Sequence, residues 1–142
     1  MDKAGLDIFI DTYLIIDALA NRKPFAAYAL LLLNLAAESK ITVYTSSNSI
    51  TNIHYVLRKA AGENQTRVLI DGLCDLIEII PVTKSILQRA VKSGFADFED
   101  AVQNLAAESI SSIEIIVTRN VKDYKNSQLN IFTPAQFLKI YA

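Results

Sequence analysis

The chain has 142 residues, 51% of them hydrophobic and 20% charged, which supports a folded core and excludes a disordered or fibrous chain. A net charge of −1, from 14 basic and 15 acidic residues, excludes the broad positive field of a strongly basic nucleic-acid binder. The longest apolar stretch, Ala26 to Leu33, is too short to span a membrane, the first apolar run carries Asp7 and Asp11 rather than the pattern of a signal peptide, and a lone Cys74 excludes an internal disulfide. A cytoplasmic protein is expected.

Leu6 to Ile10 is β-branched and aromatic and predicts a strand ending at Asp11-Thr12. Thr12 to Ala20 reads as a short helix or turn, and Pro24 is placed to start the next helix. That helix, Phe25 to Ser39, is apolar nearly all round and is expected to be buried on several sides, either in the core or against another subunit. Ile41 to Tyr44 is a second strand. Ser46 or Ser47 can cap a helix running to Ala61, with Gly62 as its stop.

A helix over 64–76 leads to a short strand at Ile77 to Ile80, closed by Pro81. Thr83 to Ser93 is helical and Gly94 ends it. Asp97 caps a helix reaching Ser109. Ile113 to Val117 is the fourth strand, Ile131-Phe132 a candidate fifth, and Thr133-Pro134 opens a terminal helix. Strands alternating with helices predict one α/β domain over 1–142. Its expected form is a three-layer α/β/α sandwich around a parallel sheet of four or five strands.

In such sheets ligands bind at the carboxyl ends of the strands. Asp11 follows strand one directly, and Asp123 lies just beyond the Thr118-Arg119-Asn120 turn after strand four. Asp97 and Asp100 start a helix that precedes a parallel strand, so they arrive at the same edge. Asn48 and Asn52 lie in the first turns of the helix after strand two, Asn52 roughly 8–9 Å along it at ~1.5 Å per residue. Convergent carboxylates repel one another unless a cation neutralises them, and oxygen donors of this kind suit Mg²⁺ or Mn²⁺. Such an ion activates water and offsets charge on a phosphate. Each residue also has a plain structural use: Asp97 with Asp100 makes a helix cap, Asp11 ends a strand, and Asp123 sits in a turn. Their common edge favours the functional reading.

Ile10-Asp11-Thr12, the Ser-rich entry into Ile53 to Lys59, Asp97-Phe98-Glu99-Asp100-Ala101, and Ile116 to Tyr124 together resemble the PIN domain family, over nearly the whole chain. The resemblance implies a metal-dependent ribonuclease acting on single-stranded RNA, often the VapC-like toxin of a toxin–antitoxin pair and frequently a homodimer. An antitoxin protein is the implied partner. Carried over by position, Asp11, Asp100 and Asp123 fall on the acidic catalytic and metal positions. Thr12, Asp97, Thr118 and Asn120 support them. Two positions depart from the pattern. Tyr13 stands where the family usually has Asn, and Asn52 stands as a neutral metal ligand where it usually has an acid, which predicts weaker metal affinity.

Among the basic residues Arg22, Lys23, Arg58, Lys59 and Arg119, the last neighbours the acidic edge and is the candidate RNA contact. His54 is expected as a packing or surface residue, Asp17 as an acid on the helix surface, and Cys74 as a small buried apolar residue. No Asp ends strand three, as a phospho-acceptor receiver would need. No Asp-x-Asp follows strand one, as in a haloacid-type phosphatase, and there is no P-loop. The remaining rival is a catalytically weak or inactive PIN-like module that binds RNA or a partner protein.

Overall fold

The computed structural model describes residues 5–141. Five strands, β1 (Leu6–Ile10), β2 (Ile41–Ser46), β3 (Glu78–Ile80), β4 (Ile113–Val117) and β5 (Asn130–Phe132), form one sheet in the order β3-β2-β1-β4-β5. Every pairing is parallel. Between them run α1 (Thr12–Leu19), α2 (Ala26–Ala37), α3 (Ser47–Ala61), α4 (Glu63–Leu76), α5 (Lys84–Val91), α6 (Phe98–Glu108) and the terminal α7 (Pro134–Tyr141). A 3₁₀ turn, Val121–Tyr124, follows β4 and was not anticipated from the sequence.

The alternation of side chains along a strand divides the core in two. Ile8, Ile10, Val43, Ile115 and Val117 face one way and pack with α1 through α4 and α7. Phe9 and Ile116 face the other way and pack with Ile86, Ala90, Val102 and Ala106 of α5 and α6. This is the expected three-layer arrangement, with the sheet buried on both faces. Among the described residues no helix is long and apolar enough to cross a membrane.

The chain order carries β2 and β3 to one side of β1, then β4 and β5 to the other. The connections therefore reverse direction between β1 and β4. Such a reversal opens a crevice at the carboxyl ends of the strands, which is where open α/β sheets bind ligands.

Local signals account for several boundaries. Thr133 caps α7 by accepting from Gln136 N at 3.1 Å while Gln136 Oε1 accepts from Thr133 N at 2.9 Å, a reciprocal capping box. Ser46 stands at the N-cap of α3, but its hydroxyl meets the Ser49 hydroxyl at 3.1 Å rather than a backbone N–H. Gly62 joins α3 to α4 with φ 81° and ψ 164°, a conformation open essentially to glycine alone. A Cβ there would meet nothing within 4 Å, so backbone strain is the whole cost of adding one. Gly62→Ala is expected to lower stability by ~1–3 kcal/mol, measured by thermal or denaturant unfolding. An unchanged midpoint would mean that the two helices can be rejoined at negative φ.

Helix α2 packs on the fold along a single stripe, burying Ala26, Ala29, Leu32 and Leu33 and leaving Tyr28, Leu30 and Leu31 exposed, so the core of this chain covers only one of its faces. Two sequence expectations are corrected. Asp17 is fully buried rather than on the helix surface, since a cation from a distant turn reaches it. Cys74 is exposed, because the inward stripe of α4 falls on Leu73 and Thr66 instead.

Candidate active site

The first carboxylate comes from the end of β1. Asp11 N donates to Val117 O at 3.2 Å, extending the β1–β4 ladder one residue past the strand. At this point the chain turns into α1 with Asp11 as its N-cap, its Oδ1 accepting from Tyr13 N at 2.7 Å. Oδ2 accepts from the Thr118 hydroxyl at 3.0 Å and from the Tyr124 hydroxyl at 3.2 Å. Three donors thus fix a carboxylate that is only 3% exposed. A carboxylate has about four lone-pair sites. Among the described residues Oδ1 therefore keeps one site without a donor, and Asp11 lines the crevice.

Burial is the main influence on Asp11 and raises its pKa, while the hydrogen bonds from Tyr13, Thr118 and Tyr124 and the charge of Arg119 pull it back down. The Tyr124 hydroxyl is pushed upward, first by burial and then by the nearby carboxylates, so it remains a hydrogen-bond donor at neutral pH.

The second acidic group comes from the start of α6. Asp97 caps that helix, its Oδ1 accepting from Asp100 N at 2.9 Å. Asp100 is half-buried, and its pKa is pushed up to about 7, first by loss of solvent and then by the charges of Asp97, Asp11, Asp123 and Glu99. Three segments far apart in sequence therefore place carboxylates within electrostatic reach of one another. Asp11, Asp97, Glu99, Asp100 and Asp123 line a cavity of about 240 Å³ together with Tyr13 and Asn120. A roomier cavity of about 430 Å³ between α3 and α4, near His54 and Cys74, has the single carboxylate Asp71 on its wall and lies away from the strand ends. The carboxylates gather in the smaller one.

A buried polar chain supports this site from below. The Thr12 hydroxyl meets the Ser49 hydroxyl at 2.6 Å, and Gln103 Oε1 accepts from both Thr12 N and the Thr12 hydroxyl at 3.0 Å. Gln103, on α6 one turn beyond Asp100, thereby ties the start of α6 to the start of α1. On the far side of the crevice, Asn120 N donates to Thr118 Oγ1 at 3.0 Å, which tightens the turn after β4.

The sequence matches the PIN domain family over residues 7–122. The chain belongs to that family. It is 26% identical over 137 residues to Ribonuclease VapC1 of Aquifex aeolicus, a match covering 92% of each chain. Its fold matches VapBC-1 from Haemophilus influenzae with a TM-score of 0.66 at 14% identity, covering 92% of this chain and 99% of that one. It also matches a chain of a toxin–antitoxin complex from Klebsiella pneumoniae with a TM-score of 0.62 at 22% identity, covering 89% and 97%.

Of the residues singled out from the PIN resemblance, Asp11, Asp97, Asp100, Asn120 and Asp123 surround one cavity, with Thr118 bonded to Asp11 behind them. Asn52 lies next door. Its amide donates to Glu99 Oε2 at 2.7 Å, and its side chain lines an adjoining cavity with Thr12, Tyr13 and Tyr55. Arg119 is engaged inside the protein, its Nε bonded to Asp17 Oδ2 at 2.9 Å and its guanidinium 4.0 Å from the centroid of the Phe25 ring. His54 bonds Glu63 Oε2 at 2.8 Å on the α3–α4 surface.

Sequence reasoning missed Gln103, Ser49, Glu99 and Tyr124. Two of them carried a usable signal: Gln103 is three residues beyond Asp100 and so shares its helix face, and Tyr124 closes the Lys122-Asp123-Tyr124 motif.

PIN-domain ribonucleases of the VapC kind are generally dependent on a divalent metal. The donors here suit a hard divalent cation. They are all oxygens, and the carboxylates of Asp97, Asp11, Asp123 and Glu99 add to burial in raising the pKa of Asp100, a repulsion that such an ion would relieve. Among the described residues no three His, Cys, Asp or Glu side chains are already gathered at ligating spacing. Ligation through water, common for Mg²⁺, fits this looser ring.

Proposed function

We propose that this chain is a metal-dependent PIN-domain ribonuclease that hydrolyses single-stranded RNA, with Asp11, Asp100 and Asp123 holding Mg²⁺ or Mn²⁺. The observation that carries the reading is the acidic cavity at the β1–β4 reversal, where a half-buried Asp100 faces four other carboxylates. A divalent ion held there would lower the pKa of a water molecule and offset charge on a phosphate. The chain's own groups do the positioning. Thr118, Tyr124 and the Tyr13 N–H orient Asp11, the Asp97 cap sets the first turn of α6, and Gln103 holds that turn against α1. Asn120, on the wall of the cavity, is the neutral group placed to meet the substrate.

The match to Ribonuclease VapC1 supports the reaction, and the toxin–antitoxin complex among the fold relatives supports an antitoxin partner. Exposed Tyr28, Leu30 and Leu31 on α2 offer an apolar face for that partner or for a second copy in a homodimer. The deciding test is cleavage of unstructured single-stranded RNA by the purified chain with Mn²⁺ and with Mg²⁺. Cutting that starts with the metal and stops with chelator is expected, stronger with Mn²⁺ because this ion binds the same oxygen donors more tightly. RNA left intact under every metal would favour the non-catalytic module, for which Tyr13 and the Asn52–Glu99 bond are the structural basis.

A further inference from the structure

The acidic cavity is the middle section of a longer trough. It shares Tyr13 and Glu99 with the cavity on the α3 side, and Asp123 with a cavity of about 490 Å³ on the opposite side. This last space runs between Phe95 and the 3₁₀ turn, and its walls carry Lys122 and Lys125. The two flanks differ in charge. On the α3 side Glu99 adds another carboxylate. The cations there, Arg58 and Lys59, sit over the Tyr55 ring, with Lys59 Nζ 4.3 Å from the centroid and 3.3 Å from the hydroxyl. On the other flank Lys122 and Lys125 stand on either side of Asp123, both exposed, and neither is paired with a carboxylate among the described residues.

We infer that Lys122 and Lys125 form a phosphate-holding subsite, so that the RNA backbone runs from the acidic cavity along the Phe95 flank. The assignment rests on the ribonuclease reading of the same site and adds the path of its substrate. A polyanion entering a cavity walled by five carboxylates meets repulsion that one divalent ion offsets only at the reacting phosphate. The adjoining phosphate needs its own cation. Arg119 cannot serve, because Asp17 and Phe25 hold it. Among the described residues, the two lysines are the cations on the walls of the trough that have no carboxylate partner. Their support is anchored, since Asn126 Nδ2 donates to Gly94 O at 2.9 Å across this cavity, and Phe95 packs edge-on against Tyr124, the donor to Asp11.

The test compares the Lys122→Gln/Lys125→Gln variant with the parent and with Lys40→Gln, a charge removed at the opposite edge of the sheet, where β2 begins. Binding of a short fluorescein-labelled single-stranded RNA of mixed sequence is followed by anisotropy across a salt series. It is measured in an Asp100→Asn background so that the RNA stays intact. Loss of two phosphate contacts should reduce the slope of log K against log salt by about 1.4 and weaken binding roughly tenfold near physiological salt. In the active background the loss should appear as a similar rise in KM, with the thermal midpoint and Mn²⁺ affinity unchanged. A slope and KM equal to those of Lys40→Gln would overturn the subsite. Absence of cutting by the parent would instead remove the nuclease reading alone, because the salt slope is read without cleavage.

Discussion

Asp100→Asn is expected to reduce RNA cleavage by on the order of 10²–10³-fold while making the metal-free protein more stable. The two effects have one cause. Asp100 stands among Asp97, Asp11, Asp123 and Glu99, and burial with their charges raises its pKa to about 7 from an ordinary 3.8. A displacement of that size corresponds to ~4 kcal/mol at 1.36 kcal/mol per pH unit, but the group is half exposed, so solvent screening leaves about 1–2 kcal/mol. The Asp97 cap accepts from the Asp100 backbone N–H, which the substitution retains, so α6 keeps its start.

The pH dependence follows. With a raised folded pKa, the folded protein holds a proton that the unfolded chain has released between about pH 4 and pH 7, so parent stability falls as pH rises through that window. The advantage of Asp100→Asn should therefore be greatest near pH 8 and vanish below the ordinary carboxylate value. Urea unfolding at a series of pH values, in chelator, measures this. Added Mn²⁺ should stabilise the parent more than the variant, because ligand binding to the folded state adds RT ln(1 + [L]/Kd) and the variant has lost a donor. Parent-like cleavage by the variant would remove Asp100 from the mechanism. A variant no more stable at pH 8 would mean that the carboxylates do not repel as their placement implies.

The parts of this site legible in the sequence rest on local signals. Asp11 could be placed at the sheet edge because a five-residue apolar strand ends just before it, and Asp97 could be named a cap because Asp100 follows three residues on. Gly62 marked the α3–α4 junction because few other residues take its φ. What could not be read depends on contacts between segments far apart. The Arg119–Asp17 pair spans 102 residues and the Thr12–Gln103 bond 91, and neither partner announces the other. Asn52 could be put at the right end of α3, but its rotation about the helix axis, which turns its amide to Glu99, was set by how α3 packs. Helix α2 is apolar on nearly every face, so its pattern could not say which stripe would be buried.

Arg119→Met is expected to be the most destabilising of the changes considered, at about 3–5 kcal/mol, or roughly 10 °C in the thermal midpoint. Asp17 is fully buried, and Arg119 reaches it with Nε at 2.9 Å and a second nitrogen at 3.4 Å, the Arg side chain itself being only 26% exposed. Removing the guanidinium leaves a carboxylate inside the fold without its counter-charge. Methionine retains much of the side-chain bulk, so the loss is chiefly one of charge pairing. The consequence should reach the active site, because Thr118 and Asn120 flank Arg119 in the turn that holds Asp11 and walls the cavity. Mn²⁺ affinity and cleavage should therefore both fall, even at temperatures where the variant is fully folded. The companion variant Asp17→Leu/Arg119→Met separates the causes. Replacing both members of a buried pair with apolar groups is often close to neutral, so the double variant should recover most of the lost stability. If it is as unstable as Arg119→Met, the stacking of the guanidinium 4.0 Å from the Phe25 centroid at the start of α2, and not its pairing with Asp17 on α1, is what holds the turn after β4 in place.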